Sequence, residues 1–429
     1  MKISTLEFNH YRSARHAKID LDPNLNVFVG INGAGKTTVL DAAALMLSWV
    51  IARIQSADAT GNELPENDIL NDKAYAHLEL VCQAPGRDGE NTLEWRLVQA
   101  RRGRNAKEEP HHPTLKSDFC QLDTWADEVR HNIGETGGFC NIPVLVYYPV
   151  NRVVMDIPLR IRTAHNFDLL EAYDEALLGG TSFRSFFEWY RNREDLENES
   201  RADAAGFQSD PQLDAVRRAI SKFLPSITGI SVKRDPLRME VDLQGQKLRV
   251  EQMSNGEKCL FAMIGDLARR LSIASPALKN PLEGAGIVLI DEIDLHLHPE
   301  WQREVIPKLR ETFPNCQFLL TTHSPQVITH VRPDDYLFLL TRGKRGLELR
   351  RAHDHYGKTA DRVLEDLMGL GTTRPTEIAA RLTEIYALID QNKLEGAKSE
   401  IKKLKSEIGE DSDLVKAGVL IKRMELIGK

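Results

Sequence analysis

Residues 24–38 read NLNVFVGINGAGKTT, an apolar strand-like run that breaks into glycines and then opens the helical pattern TTVLDAAALMLSWVIARI at 37–54. Gly30, Gly35, Lys36 and Thr37 satisfy G-x-x-x-x-G-K-[ST] in the context that motif requires, directly after a strand and at the start of a helix. The chemistry explains the residue types. Glycines let backbone N–H groups curl around phosphate oxygens, the helix N-terminus adds partial positive charge, and Lys36 reaches the β and γ phosphates. Asn32, Gly33, Ala34 and Thr38 complete the expected cofactor-binding loop, and the Thr37 hydroxyl is the expected ligand of Mg²⁺. A chance glycine turn would leave the flanking strand and helix unexplained.

Two further apolar runs, GIVLIDE at 286–292 and QFLLTTH at 317–323, flank the helical stretch EWQREVIPKLRETF. Continuous apolar strands alternating with a helix argue for a parallel sheet buried on both faces, with chemistry at the strand ends. Asp291, at the tip of the first run, is placed to hold Mg²⁺ through water, and Glu292 to polarise an attacking water. His323 alone reads as a loop-capping histidine. Beside the other two motifs it is assigned to the γ-phosphate or the attacking water. His296 and His298 alternate in DLHLHPEW as a metal pair would, but no acidic or thiol cluster completes a coordination shell. They are read as a conformational element beside the carboxylates, with Asp294 facing a partner subunit.

The chain of 429 residues has 41% hydrophobic and 28% charged residues, which suits an ordinary globular protein of one large or two to three smaller domains. No signal-peptide core and no long uninterrupted apolar run is read, so a cytoplasmic protein without membrane attachment is expected. Five cysteines, odd in number and without a CxxC pair, suggest reduced thiols. A net charge of −7 gives no global attraction to nucleic acid.

Elsewhere, AHLELVCQ and TLEWRLVQA read as a hairpin turning at PGRDGEN, VLVYYP as a buried strand, and SFFEWYRNRED as part of a charged helical segment. GISVKRDPLRMEVDLQGQKLRV reads as two strands ahead of MSNGEK at 253–258. There Ser254 and Glu257 form a capping box for the helix CLFAMIGDLARRL. RRGRNAKEEPHHP reads as a loop. From 376 onward one apolar stripe per helix (Ile378, Leu382, Ile385 and Leu388/Ile389; Leu394, Ile401, Leu404) is expected to pack on the chain's own core or form assembly contacts.

The order phosphate loop, MSNGEK, IVLIDE, TTHSP resembles the ABC-type ATPase head of the RecF, SMC and OLD group. That resemblance implies an α/β fold: a mixed or parallel sheet with flanking helices, a helical insertion and a helical C-terminal tail. It places Ser254 and Gly256 as signature residues completing the ATP site of a facing subunit, so that heads pair as a homodimer or higher oligomer. It sets Tyr11, Arg12 and Ser13 near the base or triphosphate. Asn255 stands where glycine is commoner, Gln83 and Gln121 lack the context of a lobe-linking glutamine, and the span before the signature is too short for SMC coiled coils.

The stretches SFFEWYRNREDLENE, LDAVRRAISKFLP, NPLEGAGIVLIDEIDLHLHPEWQ and NCQFLLTTHSPQVI resemble the PtuA family of Septu antiphage ATPases, and similar ATPases accompany some retrons. The resemblance covers about residues 1–345. It implies a partner HNH nuclease of the PtuB kind, with nucleic acid reached through the complex. The expected layout is an N-terminal lobe at 1–150, a mainly helical insertion at 151–250, the signature, carboxylate and histidine part at 251–345, and a helical tail at 346–429. A RecF-like repair ATPase that clamps DNA on ATP binding is the alternative. No intrinsic nuclease is expected, because the Asp-x-Asp that follows the last strand, Asp411 to Asp413, lies in a charged turn.

Overall fold

A computed structural model describes residues 1–86, 89–101, 115–150, 168–177, 183–203, 209–343 and 346–427. Most of the loop expected at 101–113, and residues 151–167 of the expected insertion, lie outside them. The chain divides into two compact units, Met1–Lys358 and Thr359–Lys429.

The first unit begins with β1 (Lys2–Tyr11), β2 (Ala14–Asp20) and β3 (Leu25–Gly30), from which the glycine loop leads into α1 (Lys36–Gln55). By length and composition α1 could cross a membrane, yet 78% of its most apolar window is buried inside the protein. The predicted hairpin follows as β4 (Tyr75–Gly86) and β5 (Gly89–Ala100), then α2 (Cys120–Thr136) and β6 (Val144–Tyr148). Next come α3 (Phe183–Asp203) and α4 (Pro211–Phe223), then β7 (Ile227–Arg234), β8 (Leu237–Leu243) and β9 (Gln246–Arg249). The last three form a separate antiparallel sheet, where the sequence reading expected only two strands.

The signature stretch starts α5 (Asn255–Ala274), and the capping box forms in full: the Ser254 hydroxyl accepts from the Glu257 N–H and the Glu257 carboxylate from the Ser254 N–H. Such a cap stabilises a helix by about 1 kcal/mol. The unit is completed by β10 (Gly286–Ile290), α6 (Pro299–Thr312), β11 (Cys316–Thr322), α7 (Pro325–Ile328), β12 (Tyr336–Gly343) and β13 (Gly346–Ala352).

Among the described residues, ten strands form one mixed sheet in the order β5-β4-β1-β2-β13-β12-β3-β11-β10-β6. The half from β12 to β6 is parallel. The half from β5 to β13 is antiparallel. Strands β10 and β11 are buried along their whole length, as the apolar runs at 287–290 and 318–320 require. Strand β3 lies between β11 and β12, which brings the glycine loop beside the ends of β10 and β11. The free edge of β5 is closed by the segment before α2 and by α2 itself: Asp118 exchanges backbone bonds with Arg96, and the Gln121 amide oxygen accepts from the Glu94 N–H.

Helix α5 is buried nearly throughout and packs on α3, α4 and residues 169–173. Its polar residues pair inside. Asp266 accepts from Arg269 at 2.8 Å, Arg270 at 2.8 Å and the Tyr148 hydroxyl at 3.0 Å, and Arg270 also donates to the Ala172 carbonyl. Burial alone would push the Asp266 carboxyl up; Arg270 and Arg269 outweigh it and hold it below the usual range.

The second unit holds α8 (Ala360–Asp366), α9 (Thr376–Asp390), α10 (Leu394–Ile408) and α11 (Ser412–Ile427). It begins later than the expected tail, because 346–352 form β13, whose polar backbone is satisfied by antiparallel pairing with β12. Of the predicted stripes, Leu382, Ile385, Ile389 and Leu404 share a core with Ala397, Leu414, Ala417 and Ile421, and Ile378, Leu388, Leu394 and Ile401 pack against it. Asp411 and Asp413 are both engaged by Arg374.

Candidate functional site

The turn from β3 into α1 is shaped by its glycines. A Cβ on Gly30 would lie 2.5 Å from the Leu340 carbonyl oxygen of neighbouring β12, and Gly35, at φ 102°, is left-handed. Gly35 is also the N-cap of α1 and supplies no side-chain cap, so the helix start keeps backbone donors for an anion. Asn32 and Gly33 are exposed, while Ala34 and Thr38 are buried. Lys36 folds back over the loop, its ammonium donating to the carbonyls of Gly30 at 2.9 Å and Ile31 at 3.3 Å. Burial lowers its pKa, against the attraction of Glu292, Asp291 and Asp294.

The ends of β10 and β11 meet the first turn of α1. Asp291 is 2% exposed, and its two oxygens have separate partners: Oδ2 accepts from the Thr37 hydroxyl at 2.9 Å, Oδ1 from the Thr321 hydroxyl at 2.5 Å. Glu292 follows in a left-handed conformation, φ 47°, uncommon outside glycine. Thr322 donates to Asp294. His323 follows the end of β11 half-buried, and its Nε2 has no hydrogen-bond partner among the described residues. Burial, then Lys36, lowers its pKa, which favours the neutral ring.

The remaining sequence-derived candidates sit differently. Arg12, at φ 49°, donates from its guanidinium to Asp41 on α1 and to Asp68. Burial opposes its charge; Tyr11, Asp41 and Asp68 outweigh that and hold it protonated. Tyr147 donates to the other oxygen of Asp41. Gly256 is buried against its own chain: a Cβ there would lie 2.5 Å from the His296 carbonyl oxygen. His298 caps α6, its ring nitrogen accepting from the Glu300 N–H. No group of three or more His, Cys, Asp or Glu that could hold a metal ion occurs among the described residues. Thr321, Thr322, Asp41 and Tyr147 escaped the sequence reading. A pair of hydroxyls closing the apolar run at 318–320 was the signal for the two threonines.

A family model described as an AAA domain matches residues 5–228, more than half of the chain, and a second AAA-domain model matches 157–329. The chain belongs to the AAA-domain family. It is similar to the "Retron Ec83 probable ATPase" of Escherichia coli, 27% identical over 90% of this chain and 79% of that protein. It is also similar to the Septu protein PtuA of Bacillus thuringiensis, 22% identical over 91% of this chain and 89% of that protein. These matches cover about nine-tenths of the chain, a larger share than the 1–345 over which the resemblance was read from the sequence. Among solved structures, an SMC head bound to the C-winged helix domain of ScpA aligns over 82% of this chain and 98% of its own, with TM-score 0.46 and 16% identity.

Proposed function

We propose that this chain is the ATP-binding and hydrolysing subunit of a cytoplasmic antiphage defence complex, which recruits or controls a partner HNH nuclease through ATP-dependent pairing of heads. The observation that carries the reading is the contact of the Thr37 hydroxyl with Asp291, at the mouth of the glycine loop and one residue before Glu292. The likeness to PtuA and to a retron ATPase over about nine-tenths of the chain supports the defence context.

In this reading the loop from Asn32 to Thr38 surrounds the triphosphate with backbone donors, and Lys36 exchanges the Gly30 and Ile31 carbonyls for phosphate oxygens. Thr37 and Asp291 are the residues that would hold Mg²⁺. One hydroxyl and one buried carboxylate fit a cation that keeps most of its shell as water and phosphate oxygen. When bound, that ion supplies charge neutralisation and orientation of the phosphates. Glu292 takes the proton of the attacking water, and neutral His323 hydrogen-bonds at the γ-phosphate. Arg12 braces the first turns of α1 through Asp41. Ser254 and Gly256 close the site of the sister head. The tail, with Val415, Val419 and Leu426 exposed on α11, supplies assembly contacts.

The test is to express the tagged chain from its native locus, purify it with ATP and Mg²⁺, and identify what accompanies it. The expected result is an HNH nuclease whose cleavage of DNA changes between wild-type and Glu292→Gln complexes. An ATP-dependent dimer that holds DNA without any protein partner would replace this reading with the repair clamp.

A further inference from the structure

Strand β11 ends in two threonines, both fully buried and paired with apolar Phe28 and Val29 of β3. A buried hydroxyl without partners is costly, so each needs an explanation. The parallel register pairs Ile290 with Leu320, which sets Thr321 beside Asp291 one step further on. From there residue 321 makes three bonds to three consecutive residues. Its hydroxyl donates to Asp291 Oδ1 at 2.5 Å and accepts from the Glu292 N–H at 2.7 Å, while its carbonyl accepts from the Ile293 N–H at 3.0 Å. The hydroxyl is thereby used as donor and acceptor at once.

We infer that Thr321 is a positioning residue for hydrolysis, an inference that rests on the ATPase reading above. It does two things with one oxygen. By occupying Oδ1 it stops the Asp291 carboxylate from rotating and leaves Oδ2 directed at Thr37. By accepting from the Glu292 N–H it holds that residue in its left-handed conformation, φ 47°, which fixes where the carboxylate of the proposed base starts from its backbone. Metal side and base side of the site are thus set by the same fully buried hydroxyl. The neighbouring Thr322 serves a separate carboxylate, Asp294, and accepts from the Ser324 N–H.

The experiment compares Thr321→Val, which keeps the shape and removes the hydroxyl, with Thr321→Ser, which keeps the hydroxyl, in the full chain. Outer partners of this kind typically change metal affinity or activity by about 10- to 100-fold. The valine variant should lose kcat by about that factor and need more Mg²⁺ for half-maximal rate. Its KM for ATP and its nucleotide binding without metal should stay near wild type, and the serine variant should recover turnover. A uniform loss of nucleotide binding and rate would show a merely structural role and overturn the inference. So would wild-type kcat and Mg²⁺ dependence in the valine variant, provided Glu292→Gln is inactive. If Glu292→Gln itself turns over normally, the site reading fails first. Should the valine variant not fold, the Thr321→Ser and Thr321→Ala pair, which differs only by the hydroxyl, gives the same contrast.

Discussion

The Thr37 hydroxyl donates to the Asp291 carboxylate across 2.9 Å, although 254 residues separate the two in the chain. Strand β11 lies between β3 and β10, so this bond ties the start of α1 to the carboxylate strand one strand removed from its own. Asp291→Asn keeps the shape and removes the charge that would attract the cation. Phosphate release in the presence of Mg²⁺ should fall at least about 100-fold, whereas fluorescent-nucleotide binding without metal should persist.

Glu292→Gln separates binding from chemistry. The amide cannot take a proton from water, while the loop around Lys36 is untouched. Turnover should drop by roughly 10²–10⁴-fold with ATP affinity retained, measured by single-turnover hydrolysis beside equilibrium binding. Wild-type turnover would remove Glu292 as the base.

Much of the frame was legible because its strands are buried on both faces. β3, β6, β10 and β11 announce themselves as largely apolar runs, and Ser254 with Glu257 announces the start of α5. β13 did not, because GLELRRA is largely solvated and exists as a strand through pairing with β12, itself docked on β3 some three hundred residues earlier in the chain. The same holds within the site. Lys36, Thr37, Asp291 and Glu292 carry motif signals, but what Thr321 touches depends on the register of β11 on β10, which no local pattern encodes. The fit of Gly256 on the His296 carbonyl is likewise a three-dimensional fact.

That fit predicts a stability effect. Gly256→Ala would drive a methyl to within 2.5 Å of a backbone oxygen, and His296 already holds a left-handed φ of 63° that leaves the loop little room to yield. Overpacking of this sort costs about 1–3 kcal/mol. A lowered Tm by calorimetry is expected; an unchanged Tm would mean the loop moves freely.

The ion cluster in α5 should be more sensitive. Asp266→Asn would leave Arg269 and Arg270, 3% and 1% exposed, without their carboxylate. Breaking a buried pair from one side typically costs about 3–5 kcal/mol. Denaturant unfolding should show it, and Asp266→Asn with Arg269→Met and Arg270→Met should lose less than the single variant, since the stranded charges go too.

The last prediction concerns pH. The His323 pKa is lowered in the folded chain, first by burial and then by Lys36, so the unfolded chain takes up this proton at higher pH, near the ordinary 6.5. When the unfolded state binds more protons, stability rises with pH. The contribution of His323 is therefore complete above about 6.5 and is lost as pH falls from there toward the lowered folded value. His77 and His355 are lowered by burial too and act in the same direction. The measurement is thus a difference: unfolding free energy at pH 7.5 minus that at pH 5.5, in wild type and in His323→Gln. The variant should show the smaller difference. Equal differences would mean that His323 binds its proton alike in both states, and the assignment of a neutral ring beside the phosphate would lose its physical basis.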